Sequence, residues 1–223
     1  MKILNHVQGS QEWLSARASV PTASEFHNLF SDTGEVRTGE MPRSYLGLKL
    51  AERWMGGPVM SFAGGSAEQG TLLEPEAIGF FEVTLDITIQ RVGLVLTDDG
   101  TYGASPDGLS DGVGWEVKSP QPHTFCTWLM DGTVPKKHLM QIHGGMLVTG
   151  LKEWRFAAYR RGFPSFVLTV KRDEKLMEVM RKRLALFTAD LNREYARLIE
   201  RNGGPPQRPT PSTSEQLNDH PFI

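Results

Sequence analysis

The chain has 223 residues, a formal net charge of −2 and a single cysteine, Cys126. This length is enough for one sizeable core, and no break marks a second domain. A lone cysteine excludes an intrachain disulfide and fits a reducing compartment. No apolar run approaches the length of a membrane span, and the first ten residues lack the apolar region of a signal peptide. We therefore expect a cytoplasmic protein with no membrane partner, with one domain over residues 1–202.

The N-terminal part of the chain is predicted to be mainly helical. Periodic apolar residues and turn signals predict helices over 11–18, 22–30, 42–54 and 67–82. Thr22 and Glu25 form a capping-box pattern at the start of the second helix. Pro42 suits the first turn of the third, and Pro75 is expected to kink or restart the fourth. Polar loops are expected over 32–40 and 62–66.

Strands and helices alternate in the rest of the chain, which predicts an α+β fold. Strands are expected over 86–91, 94–97, 101–104, 114–118, 153–160 and 165–171, and helices over 122–130, 135–148 and 173–200. The last helix carries an apolar stripe from Leu176 to Leu198, which indicates core or subunit packing. Residues 203–223 are rich in Pro, Ser and Thr, cannot bury a core and are predicted to form a flexible tail.

The residues that point to a chemistry lie in the segment SPDGLSDGVGWEVKSP, which starts at Ser105. Asp107 follows a proline, while Glu116 and Lys118 stand two residues apart in a predicted strand, so both point to one face. Two carboxylates and an ammonium are what metal-dependent cleavage of a phosphodiester requires. The ordinary interpretation is also open, because Pro-Asp-Gly and Asp-Gly are common turns and Glu-Val-Lys on a strand is usually a solvated face.

Five separated motifs together resemble the lambda exonuclease family, also called YqaJ-like viral recombinases. The family carries a Trp-x-x-x-Arg helix, a Thr-Ala-Ser-Glu helix start, a Gly-x-x-x-Glu helix, Ser-Pro-Asp-Gly with Glu-x-Lys-x-Pro, and a glutamine on a later helix. The matching residues here are Trp13, Arg17, Thr22, Ala23, Ser24, Glu25, Gly70, Glu74, 105–108, Glu116, Lys118, Pro120 and Gln141. Order and spacing agree over about residues 8–200, and five motifs in register are far more specific than one.

This resemblance implies a restriction-endonuclease-like core, a central mixed β-sheet flanked by helices, with a bound Mg²⁺ that Mn²⁺ can replace. Asp107, Glu116 and the carbonyl of Val117 would bind the metal, and Glu74 would face it directly or through water. Carboxylates ~4 Å apart repel by about 4 kcal/mol per pair at an effective dielectric of ~20, and a divalent cation removes that penalty. Oxygen ligands without clustered Cys or His favour these hard cations over Zn²⁺.

The same resemblance implies roles for other polar residues. Lys118 would orient or deprotonate the attacking water, and Gln141 would hold Lys118 or the water in place. A pocket for a terminal 5′-phosphate would contain Arg17, whose planar fork pairs phosphate oxygens bidentately. The further residues assigned to the phosphate or to DNA are Thr22, Ser24, Ser105, Arg43 and His138.

Two of these assignments depart from the family pattern. His138 stands where the family commonly has a tyrosine, so contact with DNA and support of Gln141 both remain open. Met41 and Arg43 are placed in a loop presented to the DNA end, next to the poorly matching residues 32–40. His138 and His143 are five residues apart, which is not the same-face spacing of a zinc pair.

The resulting hypothesis is a Mg²⁺-dependent exonuclease that resects duplex DNA from 5′ ends. It would leave a 3′ single strand for a single-strand annealing protein in phage or prophage recombination. The family forms a trimeric ring that threads DNA, and a net charge of −2 requires that any positive charge be concentrated in a channel. Two alternatives remain: a related endonuclease or repair nuclease without an end requirement, and a non-catalytic DNA-end-binding scaffold.

Overall fold

The computed structural model describes residues 1–59 and 65–205, with the side chains of the helix that opens at Gly65 described from Leu73 onward. The helices are α1 (Gln11–Arg17), a 3-10 helix (Ala23–Asn28), α2 (Glu40–Met55), α3 (Gly65–Leu85), α4 (Pro122–Asp131), α5 (Lys136–Thr149) and α6 (Glu174–Asn202). The strands are β1 (Lys2–Leu4), β2 (Leu94–Leu96), β3 (Gly103–Ala104), β4 (Gly108–Ser110), β5 (Val113–Lys118), β6 (Glu153–Ala158) and β7 (Phe166–Lys171).

The centre of the fold is a mixed sheet in the order β4-β5-β6-β7. Strands β5 and β6 are parallel, whereas β4–β5 and β6–β7 are antiparallel. A parallel pair needs a crossover connection, which α4 and α5 supply. A second, antiparallel sheet has the order β1-β2-β3. The fold is α+β with a mixed sheet flanked by helices, as predicted.

The two faces of β5 are covered by different helices. Trp115 and Val117 are buried in one cluster with Ala77 and Phe81 of α3. On the other face, Phe156 of β6 is level with Glu116 in the parallel register and is buried in a cluster that includes side chains of α4 and α5. Because side chains alternate along a strand, Glu116 and Lys118 lie on the face that α4 and α5 cover.

The apolar stripe of α6 is a core element, as predicted. Its residues Met180, Leu184, Phe187 and Leu191 are all buried. Phe187 stacks on Tyr45 of α2 with ring centroids 5.1 Å apart. This packing places α2, the 3-10 helix and α6 in the same core cluster.

The predicted strand over 86–91 is wrong. Helix α3 continues to Leu85, and the backbone that follows returns to it: the Ile87 N–H donates to the Glu82 carbonyl and the Ile89 N–H to the Glu82 carboxylate. Only Gln90 forms a bridge, with Leu109. Prediction also missed β4, whose three residues are too short to show alternation.

Four further expectations at helix boundaries need correction. The helix predicted over 22–30 is the 3-10 helix, and Thr22 makes no side-chain capping bond, because its hydroxyl is used elsewhere. Helix α2 opens at Glu40, so Met41 and Arg43 lie on a helix and not in a loop. Pro75 lies within a single helix, so it does not restart the helix.

Two predicted segments fall partly or wholly beyond the described residues. Of the loop expected over 62–66, residues 62–64 lie outside the description, and residues 65–66 belong to α3. Of the predicted tail, residues 206–223 lie outside it as well. In the described part of the chain, no helix is long and apolar enough to cross a membrane.

Close packing of α5 depends on glycine. A Cβ at Gly144 would lie 2.7 Å from the Phe26 ring and 2.8 Å from the Ala23 Cβ, both in the 3-10 helix. A Cβ at Gly145 would lie 2.5 Å from the Trp154 ring. Such distances are below van der Waals contact, so α5 approaches both neighbours only because these positions lack side chains.

We therefore expect Gly144→Ala to lower the free energy of unfolding by about 1–3 kcal/mol through overpacking. The matched control is Gly47→Ala on the exposed side of α2, where a Cβ meets nothing within 4 Å. That substitution should raise the free energy of unfolding by about 0.5–1 kcal/mol, the helix-propensity gain of alanine. Urea denaturation measures both. Equal stabilisation by the two substitutions would show that α5 has room at this interface.

Candidate active site

A cleft of about 100 Å³ lies where α1, the 3-10 helix, α5 and the start of β4 meet β5. Six of the predicted site residues line it: Arg17, Ser24, Ser105, Asp107, Glu116 and Gln141. These residues come from separate parts of the sequence, and the fold brings them to one place. The cleft is therefore the candidate active site.

Asp107 is fixed by the backbone of β5. Its own N–H donates to the Trp115 carbonyl at 3.1 Å, and its Oδ2 accepts the Val117 N–H at 2.6 Å. The N–H and C=O of one strand residue point toward the same neighbouring strand. The Val117 carbonyl therefore faces the edge on which Asp107 lies, where it was predicted to act as a metal ligand.

Glu116 and Lys118 form an ion pair on the cleft side of the sheet. The Glu116 side chain is buried and that of Lys118 is half-buried. Burial raises the pKa of Glu116 to about 7, with Asp107 adding to the shift and Lys118 opposing it. Burial lowers the pKa of Lys118, but the charges of Glu116 and Asp107 outweigh this and raise it above the usual value. The surrounding carboxylates therefore favour the charged form of Lys118.

Glu74 approaches the same cluster from α3 and is held by Arg91 through an ion pair. Burial raises the pKa of Glu74, and the Asp107 carboxylate raises it further. Burial also raises the pKa of Asp107, against the opposing charges of Lys118 and Arg91. These mutual shifts show that the three acidic groups share one electrostatic environment. Arg91 was not predicted, and neither its type nor its position in the sequence marked it.

The donors that surround Asp107 fit a hard divalent cation. Two buried carboxylates and a backbone carbonyl are the oxygen ligands that Mg²⁺ and Mn²⁺ prefer. Among the described residues, no group of three or more His, Cys, Asp or Glu side chains is arranged as a ready metal site. In this structure the carboxylates of Glu116 and Glu74 are instead paired with Lys118 and Arg91, respectively.

The predicted phosphate-binding residues form a connected group on the opposite wall of the cleft. The Arg17 guanidinium donates to the hydroxyls of Thr22 and Ser24 at 2.8 and 2.9 Å. It also lies over the Trp13 ring, 4.2 Å from the centroid. The Trp13 indole N–H donates to the Ser105 hydroxyl at 3.1 Å. Burial lowers the pKa of Arg17, and nearby Glu25 opposes the shift.

Gln8 is a cleft residue that prediction missed. Its side-chain amide donates to the Val92 carbonyl at 3.0 Å and to the Pro106 carbonyl at 2.8 Å. It therefore ties the N-terminal segment to the residue that precedes Asp107. A glutamine in a polar segment carries no local signal, because its partners lie 84 and 98 residues away in the sequence.

Six predicted residues are not among those that line the cleft: Glu74, Val117 and Lys118, described above, and Thr22, Arg43 and His138. Thr22 is fully buried and supports Arg17 from behind. Arg43 lies on the exposed side of α2. His138 packs in the core, stacked on Phe156 at 5.3 Å between ring centroids and edge-on to Trp128 at 5.6 Å. Burial, together with the charges of Lys118 and Lys137, lowers the pKa of His138 to about 3.

Comparison with known proteins supports the fold first and then the family. The fold resembles that of the alkaline exonuclease LHK-Exo from Laribacter hongkongensis, with 24% identity over 87% of this chain and 98% of that chain. The TM-score is 0.77 for that structure and 0.78 for its complex with dAMP. A phage-related exonuclease from Haemophilus somnus 129PT has a TM-score of 0.59 at 11% identity, over 82% of this chain and 96% of that one.

The family model described as the YqaJ-like viral recombinase domain matches residues 12–152. This chain belongs to that family, as the motifs predicted. No curated protein matches the sequence.

The role of Gln8 can be measured through stability. Gln8→Ala leaves two part-buried carbonyls without their donor, so we expect the free energy of unfolding to fall by about 1–3 kcal/mol. Gln11→Ala, on the exposed start of α1, is the control and should change it by at most about 0.5 kcal/mol. Chemical denaturation of both variants tests this. Equal stability of the two would mean that the Gln8 bonds do not hold the segment.

Proposed function

We propose that this protein is a Mg²⁺-dependent nuclease that digests duplex DNA from its 5′ ends. The observation that carries the proposal is the composition of one cleft. Carboxylates suited to a divalent cation, Asp107 and Glu116, share it with donors suited to a phosphate, Arg17 and Ser24. The fold relatives are described as exonucleases, and one of them holds dAMP, a mononucleotide of the kind that stepwise digestion releases.

In the proposed mechanism, Asp107, Glu116 and the Val117 carbonyl would hold the cation, with Glu74 facing it directly or through water. When bound, the cation would supply Lewis acidity toward the phosphate and the attacking water. Lys118 is paired with Glu116 in this structure and lies on the same face of the strand as that carboxylate. Lys118 would orient or deprotonate the water and would offset charge that develops on the phosphate oxygens.

The other cleft residues position the DNA. Arg17, Ser24 and Ser105 grip the terminal 5′-phosphate, with Thr22 holding Arg17 from behind. Gln141 lines the cleft beside Glu116 and supports Lys118 or the water. A phosphate anchored opposite the carboxylates places the next phosphodiester over them, so cleavage proceeds from the end in single steps. Digestion of one strand leaves a 3′ single strand, the substrate for a single-strand annealing partner in phage-type recombination.

Two assigned residues have roles that follow from their place outside the cleft. Arg43, exposed on α2, would contact the DNA backbone beyond the terminal nucleotide. His138 is neutral at physiological pH because of its lowered pKa. Its ring would support the Lys118 side of the site through its packing on Phe156.

The metal requirement can be separated from folding. We expect Mg²⁺ to raise the thermal midpoint of the wild type, since a ligand that binds only the folded state stabilises it. Asp107→Asn should lose both this stabilisation and cleavage of linear duplex. Asp111→Asn, on the exposed turn four residues later, is the control and should retain both. Thermal denaturation with and without Mg²⁺, followed by a digestion assay, provides the measurements. Full cleavage by Asp107→Asn, or by the wild type in excess chelator, would contradict the mechanism.

A test of the proposed 5′-phosphate pocket distinguishes an exonuclease from an endonuclease. A charge-assisted contact is worth about 1.5–3 kcal/mol, so Arg17→Ala should slow digestion of 5′-phosphorylated duplex by roughly tenfold to a hundredfold. The effect on 5′-hydroxyl ends should be much smaller, and Arg17→Lys should rescue only partly. Arg181→Ala on exposed α6 is the control. Equal losses on both end types, or rapid cleavage of closed circular duplex by the wild type, would favour an endonuclease.

We also propose a trimeric ring with its basic side chains directed inward. The family implies this assembly, and the net charge of −2 requires positive charge to be concentrated where DNA passes. Light scattering at micromolar protein should give three times the chain mass of 24.9 kDa. A monomer at every concentration would remove the basis for processive digestion.

A further inference from the structure

A buried ion network lies behind the proposed 5′-phosphate pocket, and the mechanism above does not use it. Its centre is Lys49 of α2, which is 1% exposed. The Lys49 ammonium lies 3.0 Å from a carboxylate oxygen of Glu25 and 3.0 Å from one of Glu52. A fully buried lysine is rare unless it is paired, and here it is paired twice.

The network reaches Arg17 through one side chain. The Glu25 Oε2 that lies near Lys49 also accepts the Thr22 hydroxyl at 2.9 Å. The Thr22 oxygen in turn accepts from Arg17 at 2.8 Å. The chain of contacts Lys49–Glu25–Thr22–Arg17 therefore links the interior of α2 to the cleft.

The other members of the network fix its geometry. The Tyr45 hydroxyl donates to Glu25 at 3.2 Å, and the Ser19 N–H donates to Glu52 at 2.7 Å. Both carboxylates are thus held by donors that do not belong to the cleft. While Lys49 stays between Glu25 and Glu52, neither carboxylate can move to Arg17 without breaking the hydrogen bonds to these donors.

The charges of the network balance only if Arg17 is counted. Two cations, Arg17 and Lys49, face two carboxylates, Glu25 and Glu52. Glu25 and Glu52 both act electrostatically on the Arg17 guanidinium, opposing the effect of burial on its pKa. Without the Lys49 ammonium, both negative charges would fall on Arg17 alone. A guanidinium bound to its own carboxylates is a poor partner for a phosphate, because the two anions compete for it.

We propose that Lys49 is a positioning residue that sets the preference for a 5′-phosphate. It offsets part of the negative charge of Glu25 and Glu52 from behind, and thereby leaves more of the charge of Arg17 to the phosphate in the cleft. This inference rests on the proposed role of the cleft as a 5′-phosphate pocket.

The test compares two substitutions that break the same ion pair from opposite sides. Lys49→Met removes the cation and should lower the ratio of cleavage rates on 5′-phosphorylated and 5′-hydroxyl duplex by about tenfold. Glu52→Gln removes one carboxylate, so the ratio should remain at the wild-type value or rise. The double variant Lys49→Met with Glu52→Gln returns the network to charge balance and should restore the ratio toward wild type.

The rate ratio distinguishes positioning from mere structural support. A fraction of misfolded enzyme lowers both rates equally and leaves the ratio unchanged, and thermal midpoints report that fraction separately. If Lys49→Met does not fold, the Glu52→Gln and double variants decide the question by themselves. A rate ratio below the wild-type value in Glu52→Gln would overturn the proposal. So would a double variant that cleaves 5′-phosphorylated and 5′-hydroxyl duplex at the same rate.

The inference and the proposed function fail in different ways. A wild-type ratio near one removes the phosphate pocket, and the role of Lys49 with it. A high wild-type ratio that folded Lys49→Met leaves unchanged overturns only the role of Lys49 and leaves the pocket intact.

Discussion

The site depends on acidic groups held together in a poorly solvated place. Asp107 and Glu116 are both buried, and burial raises the pKa of each. Carboxylates in such a position need compensating positive charge. In this structure Lys118 and Arg91 provide it, through ion pairs with Glu116 and Glu74.

Strand β5 is the element that makes this arrangement possible. Its alternation sends Trp115 and Val117 into the α3 side of the core and sends Glu116 and Lys118 toward the cleft. Its backbone also holds Asp107, since the Val117 N–H donates to that carboxylate. The mixed sheet supports the strand on both edges, since β4 and β6 are its neighbours. The glycines of α5 then allow a helix to close over this face.

On the opposite wall of the cleft, a different set of interactions positions the charged side chain. Arg17 receives its orientation from hydroxyls and from the Trp13 ring, and its electrostatic setting from carboxylates behind it. One wall of the cleft is therefore acidic and the other is basic. Under the proposed function, a cation at the acidic wall would face a phosphate held by Arg17. Packing of α2 on α6 matters to this wall, because α2 carries Lys49.

Much of the acidic part of the candidate site could be predicted from the sequence, because its residues lie close together along the chain. The motif from Ser105 to Pro120 contains Asp107, Glu116 and Lys118 within a few residues, and strand alternation places the last two on one face. The apolar stripe of α6 has the same local character, and its burial was predicted correctly. The order of five motifs predicted the family, and the family model and the solved structures confirmed that family and its fold.

What the sequence could not determine is set by contacts between distant residues. Trp13 meets Ser105 across 92 residues, and Gln8 meets Pro106 across 98. Residues 86–91 have strand-like composition, yet the N–H groups of Ile87 and Ile89 donate to Glu82 near the end of α3. Thr22 resembles a helix cap, but its hydroxyl joins Arg17 to Glu25. Local patterns determine which segments are helical and which side chains share a face. Only tertiary packing decides which partner a polar group finds, because that choice depends on the burial of groups far apart in the chain.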